Sequence, residues 1–259
     1  MRSSDGFTII ELSLFVAISA LIMVSLMVGW SVTINTQSYK DSARSLAQVL
    51  QQQYSNAISV SNDRTNPSQI KCGLSGSSVT VDEAPSGAAP VGASNCVIMG
   101  RYITIDGTVL HMGDIIGAPS ATASSATTDT DAIKNYYPTK VASSVVADET
   151  YNIAWSSRPY IAGAPDATAK LAIVVVRSPL TGTLYTYSKQ FTDSDNPPSV
   201  KEIMDTGTNP HGQNAVKLCL DPEAPIAQGR MAVQIKANAA STAGVAVLAD
   251  ADVDAEAGC

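Results

Sequence analysis

Histidine is nearly missing from this 259-residue chain, which has only His111 and His211. Its four cysteines, Cys72, Cys96, Cys219 and Cys259, include no C-x-x-C pair. There is no G-x-S-x-G elbow, no G-x-x-x-x-G-K-[ST] phosphate loop and no H-E-x-x-H zinc motif. Those absences exclude the motif-borne hydrolases, nucleotide-binding enzymes and zinc enzymes. The chain is read as non-enzymatic, with no catalytic residues, no cofactor and no metal. Charged residues make up 15 % of it and aromatic residues 5 %, and the net charge is -7. Lysines and arginines are scattered. Affinity for phosphate backbones comes from clustered Lys and Arg, so nucleic acid is excluded as a partner class. Ala, Ser, Thr and Val dominate instead, a composition that suits β-rich extracytoplasmic proteins.

Another absence is more informative. From Leu12 to Ile34 there is no Asp, Glu, Lys, Arg, His or Pro. The run exceeds the roughly 20 residues a helix needs to cross a bilayer. Ser13, Ser19, Ser25 and Ser31 are tolerable there, because a helical serine bonds its own backbone. A secretory signal peptide fits badly, since its apolar core is about 7–15 residues and an A-x-A-like site follows. No such triplet lies between Val28 and Arg44. A plain signal anchor accounts for the hydrophobicity but gives no reason for Glu11, a carboxylate at the edge of the run. Ionised carboxylates in a membrane cost free energy and are usually there to pair.

The pattern continues beyond the apolar run. Tyr39, Ala43, Leu46, Ala47, Leu50, Tyr54, Ala57 and Ile58 follow at steps of three and four. Lys40, Asp41, Arg44, Gln48, Gln51 and Gln52 fall mostly on the other face. No Pro or Gly interrupts Trp30 to Asp63. The spacing predicts one helix from about Phe7 to about Ser59, on the order of 80 Å long. Gly29 is its weakest point.

The run Gly6-Phe7-Thr8-Ile9-Ile10-Glu11-Leu12 resembles the processing signature of type IV pilins and the related pseudopilins. The resemblance is specific over Gly6 to about Ile34 and generic over the amphipathic half. Over the head it is a shared coarse plan. It implies an α+β, pilin-like fold in which a long N-terminal helix packs on an antiparallel sheet. It also implies a leader at 1–6, a helix at 7–60 and an extracytoplasmic head at 61–259. Within the helix, 7–34 is the membrane and filament core and 35–60 the amphipathic half. In such proteins a prepilin peptidase cuts between glycine and phenylalanine, here Gly6 and Phe7, and N-methylates the new terminus at Phe7. Glu11 of an incoming subunit would then meet the terminal amine of a neighbour and mark the axial register. Water exclusion strengthens that attraction, and pairing removes the penalty of two lone charges.

The implied function is a structural subunit of a type IV pilus. Its partners are copies of itself or other pilins, the peptidase, and the membrane before assembly. It begins as a single-pass precursor in the cytoplasmic membrane and ends in a surface filament. Other readings are a minor pseudopilin of a type II secretion or competence system, and a monomeric signal-anchored adhesin. The adhesin needs neither Glu11 nor Gly6-Phe7. The chain departs from the family pattern twice. The leader has one basic residue, Arg2, offset by Asp5, which weakens the positive-inside signal. The apolar run has no proline, so any melting of the helix during assembly centres elsewhere, at Gly29 for example.

In the head, Asn66-Pro67 and the Gly/Ser/Pro-rich stretch Gly73 to Gly92 read as loop, with a short strand at Val79 to Val81. Val97 to Ile105 and Thr108 to Met112 flank Asp106-Gly107, a pair suited to a two-residue type I′ turn. Ala118 to Asp131 reads as an exposed low-complexity loop. Leu171 to Arg177 and Thr183 to Phe191 form a second hairpin, Asp193 to Pro198 is a break, and Val216 to Leu220 and Met231 to Ala237 are later strands. Four cysteines allow three connectivities. Outside the cytoplasm an even count reads as disulfides, and proximity favours Cys72–Cys96 and Cys219–Cys259. The second would resemble the C-terminal disulfide loop of many pilins. The segment from Asp250 to Glu256, if extended, would line up carboxylates on one face, but reads mainly as solvated, and the whole tail from Ala239 to Gly258 reads as poorly anchored apart from the crosslink.

Overall fold

The computed structural model describes residues 9–59, 70–76, 78–83, 96–142, 147–155, 157–162, 169–192, 196–206, 215–222, 229–237, 239–250, 252–253 and 259. The expected leader, the Gly6–Phe7 junction, Asn66-Pro67 and His211 lie outside them, as does most of the Gly/Ser/Pro-rich stretch after Glu83.

One helix dominates the described residues. α1 runs unbroken over Ile9–Ile58, 50 residues or about 75 Å. Gly29 stays helical, and Thr33 Oγ1 donates to its carbonyl. The buried residues of α1 begin at Tyr39 and follow the expected stripe through Ala43, Leu46, Ala47, Leu50, Tyr54 and Ala57. Two polar residues, Ser42 and Gln53, are buried with them, while Ile58, expected on the stripe, is exposed. The last turn has no basic residue of its own. Arg177 supplies one from the sheet, its Nη1 reaching the Ile58 carbonyl at 3.5 Å.

The head is α+β with antiparallel sheets. A ribbon pairs β1 (Ile70–Ser75) with β2 (Ser78–Glu83). Six strands make the main sheet: β3 (Val97–Asp106), β4 (Val109–Gly117), β5 (Thr139–Lys140), β6 (Glu149–Asn152), β8 (Lys170–Arg177) and β9 (Leu184–Gln190). Their order is β5-β4-β3-β8-β9, and β6 also pairs with β4. A four-stranded sheet runs β12-β11-β10-β7, from Val245–Ala249 through Met231–Ile235 and Val216–Pro222 to Ser157–Ile161. The single sheet expected from the sequence is thus two sheets and a ribbon. The second forms because β7 comes back to pair with β10, a contact far apart in the chain.

Burial explains the strand sequences. Ile103, Ile105, Leu171, Ile173 and Val175 share a core with α1 and with Leu218, Leu220, Val233 and Ile235 of the small sheet. The alternate residues Tyr102, Ala172, Val174 and Val176 point into a second core. That core is closed by α2 (Asp129–Asn135) and α3 (Val200–Thr206), through Ile133, Val200 and Ile203. Leu171 to Val176 is a continuous apolar run because both of its faces are covered. A bulge falls between Ile98 and Gly100, where the neighbouring strand β8 leaves no room. A Cβ on Gly100 would lie 1.9 Å from the Val175 carbonyl oxygen.

Three local expectations need correction. The first hairpin turns at Gly107-Thr108, because Asp106 pairs with Val109. Only Gly107 has positive φ, at 62°, which fits a type II′ turn and not the expected type I′. The expected loop Ala118–Asp131 ends inside α2. Thr128 caps that helix, its Oγ1 accepting from the Asp131 N–H at 3.2 Å, so the polar run hides a T-x-x-D cap. Asp129 in the same turn accepts from Ser178 Oγ (2.5 Å) and Tyr185 Oη (2.6 Å). Those bonds, Ser178's first, hold its carboxyl below the usual carboxylate range and latch α2 to the β8–β9 turn. In the stretch read as loop from Gly73, the expected short strand at Val79 to Val81 is present but longer, as β2, and it pairs with β1, whose end also lies in that stretch.

The α1–head contact is sensitive to alkali. Tyr39 Oη donates to the Leu220 carbonyl (2.6 Å) and accepts from the Met231 N–H (3.0 Å). Thr186 Oγ1 gives its proton to the Ala239 carbonyl, so Tyr54, 2.8 Å away, is the donor to Thr186. Burial pushes both phenols up to about 12 from an ordinary value of 10.0. The fold therefore favours the protonated forms. Their contribution is complete below pH 10 and is lost as pH rises towards 12. Tyrosine titration should show these two phenols ionising late, and the denaturation midpoint should fall across that window. A midpoint that stays constant there contradicts the assignment.

Candidate functional site

The feature that asks for a partner is the first half of α1. Ile9 to Ser38 contributes nothing to the buried core, while Leu14, Phe15, Leu21, Leu26, Met27 and Trp30 are all exposed. An apolar surface wrapped around some 40 Å of helix is far larger than the few hundred Å² that soluble monomers tolerate. Such a surface calls for an apolar cover. The helix is long and apolar enough to span a membrane.

The polar groups in this half are arranged for that environment. Ser13 Oγ donates to the Ile10 carbonyl at 2.9 Å, and Ser25 Oγ to the Leu21 carbonyl at 2.8 Å. Both hydroxyl protons are used inside the helix. Glu11 lies in the first described turn of α1. Gly6 and Phe7, the expected processing residues, lie outside the described residues.

The second half of α1 is fixed to the head by directional bonds. Ser42 Oγ donates to the Ala154 carbonyl (3.0 Å) and Gln51 Nε2 to the Val245 carbonyl (3.0 Å). Gln53 Oε1 accepts from Arg101 Nε at 2.7 Å. Arg101, 7 % exposed on β3, also reaches Asp114 Oδ1 (2.5 Å) and Glu149 Oε2 (2.8 Å). One guanidinium so ties α1 to β3, β4 and β6. The sequence reading missed it, since a lone arginine in a strand carries no periodic signal.

The cysteines are joined as Cys72–Cys96 and Cys219–Cys259, 24 and 40 residues apart. The first ties the ribbon to the start of β3, where Val79 packs against Ile116 and Val141. The second ties the C-terminus to β10. The tail read as poorly anchored from Ala239 holds further anchors that its composition concealed, the first being β12, which pairs with β11. Val253 is buried with Ala232 and Leu248 on the outer face of the small sheet. The segment from Asp250 is not extended at its start either. Asp250 has φ 47°, and its Oδ1 accepts from the Arg230 N–H. Asp254 and Glu256 lie outside the described residues.

His111 is half-buried on β4 between Thr104 and Thr150. A cleft of about 690 Å³ between the α2–β5 segment and α3 is lined by Lys134, Tyr137, Lys140 and Lys201. Lys134 there pairs with Asp205 (3.0 Å) and Lys140 with Asp148 (2.6 Å). Among the described residues, no three His, Cys, Asp or Glu side chains are placed to share a metal ion. No protein-family model, curated protein or solved structure matches this chain.

The Cys219–Cys259 loop gives a direct test. Chain-entropy models assign roughly 3–4 kcal/mol to closing a loop of this size. Cys259→Ser should make the C-terminal third protease-sensitive while the β3–β4 hairpin stays protected, with Val253 retaining part of the tail. Non-reducing peptide mapping that finds free thiols at Cys219 and Cys259 contradicts the pairing.

Proposed function

We propose that this chain is a structural subunit of a type IV pilus or a related filament, inserted in the membrane as a precursor and assembled through α1. The observation that carries this reading is a single 50-residue helix in two physical halves. One half is exposed and apolar on all sides, with a carboxylate at its start. The other is built into a folded head. In a bilayer the first half is covered by lipid. In a filament the same surface is covered by the same surface of neighbouring subunits, so one sequence serves both states. Each large side chain transferred from water to such an environment gains about 1.5–3 kcal/mol. Moving it from lipid to a helix bundle gains little, so packing and polar pairing select the assembled register.

Glu11 supplies the polar pairing. Cleavage between Gly6 and Phe7 creates an amine one helical turn before Glu11. In the filament, the amine of one subunit and Glu11 of another form a pair in an apolar surround, which a wrong offset leaves unmade. A monomeric stalk gives Glu11 no such task. The head, with two disulfides, suits an oxidising space outside the cytoplasm.

Two experiments test the reading. Intact-mass analysis of the assembled protein should show loss of Met1 to Gly6 and one added methyl group. A mature chain that still begins at Met1 refutes it. Glu11→Ala should insert normally, because the apolar run becomes longer. It should leave the amine buried and unpaired in the filament, at a cost of about 3–5 kcal/mol per subunit. Membrane levels should stay normal while filament yield collapses. Undiminished filaments would show that Glu11 has no part in assembly.

A further inference from the structure

The head meets α1 at a defined level. Burial on the helix begins at Tyr39, and Ser42, one turn on, donates to the Ala154 carbonyl at 3.0 Å. The turn carrying Ala154 and Trp155 is therefore on the rim of the head nearest the apolar half. Trp155 has φ 60°, in the left-handed region where a bulky side chain is strained and glycine is not. Its side chain is 65 % exposed, so packing within the head does not explain it. The chain has two tryptophans, and the other, Trp30, is 72 % exposed near the end of the apolar run. Indole, with an apolar body and one N–H, is the side chain that concentrates in the headgroup layer of membranes.

The axial distances agree with that layer. Ile34, which ends the apolar run, lies about 12 Å along the helix axis from Ser42. A headgroup layer of about 5–7 Å on each side of the hydrocarbon, together with the reach of an indole, spans that gap. Asn35 to Ser38, between them, are polar and uncharged.

We propose that Trp155 is an interfacial anchor that seats the rim of the head in the headgroup layer of the bilayer crossed by its own helix. Trp30 at the edge of the hydrocarbon and Trp155 on the rim then fix the tilt and rotation of the head on the membrane before any assembly. This inference rests on α1 spanning a membrane, not on filament formation.

The test uses the full chain reconstituted in vesicles of phosphatidylcholine and phosphatidylglycerol. Trp30→Phe leaves Trp155 as the sole fluorophore, and Trp155→Phe leaves Trp30. Lipids carry a quenching spin label either on the headgroup or deep on the acyl chain. Trp155 should lose more emission to the headgroup label than to the deep label, and should be shielded from iodide in the buffer. Trp30 should be quenched by both labels. Trp155 open to iodide and untouched by the headgroup label overturns the anchor while the spanning helix stands. Trp30 untouched by either label overturns the spanning helix and the anchor together. Trp155 emission that follows protein density in the membrane, and not the lipid label, makes a second copy the occupant and overturns the anchor.

Discussion

Leu46, Leu50 and Tyr54 of α1 are sealed from solvent in the angle between the two sheets, and the rest of the head is arranged around that burial. Neither sheet can close its inner face alone. The main sheet offers Ile103, Ile105, Ile173 and Val175, the small sheet Leu218, Val233 and Ile235, and the helix fills the space between. Each fully buried side chain there contributes about 1.5–3 kcal/mol. Removing the helix would open two apolar faces to water at once. The head is therefore built on its helix, and the helix is fastened to the head along its second half only.

Hydrophobic burial alone would let a helix slide or turn in such a groove, because it has no direction. Direction comes from polar groups. Tyr39 bridges the ends of β10 and β11, Ser42 holds the rim, Gln51 holds β12, and Gln53 meets Arg101. Most of these groups are buried, where an unmade hydrogen bond costs about 1–3 kcal/mol. They set the axial position of α1 against the sheets, and so the distance between the apolar half and every feature of the head. In the proposed filament that distance sets the height of the head above the filament axis.

Charge is used sparingly for the same purpose. Arg101 is nearly sealed from solvent, yet Asp114 is partly exposed and Glu149 mostly so. The guanidinium keeps its bonds while its partners keep some hydration, which limits the desolvation penalty of a buried pair. Glu11 lies at the other end of the molecule, on the apolar half of α1. In the proposed filament its setting is supplied by other copies.

Much of the helix was legible from residue order. The uncharged run from Leu12 and the three- and four-step stripe from Tyr39 are local patterns, and a helix is made of local bonds. The two long hairpins were legible for a related reason, since their strands are neighbours in sequence. The candidate site was legible as chemistry, through Glu11 beside a greasy run, but its exposure on all sides became visible only with the head in place. Five strands, β1, β5, β6, β7 and β12, escaped notice; Glu149–Asn152 and Ser157–Ile161, for example, are stabilised by β4 and β10, partners that residue order does not announce. Arg101, the buried Val253 and the strained Trp155 were hidden likewise. The sequence by itself determined where the chain is helical, where it is apolar and which side of the second half seeks a core. Tertiary structure decided that there are two sheets and not one, which polar side chains are buried, and which aromatic stands on the rim. The physical reason is range: periodicity follows from bonds a few residues apart, whereas burial and strand partners follow from contacts between residues distant in the chain.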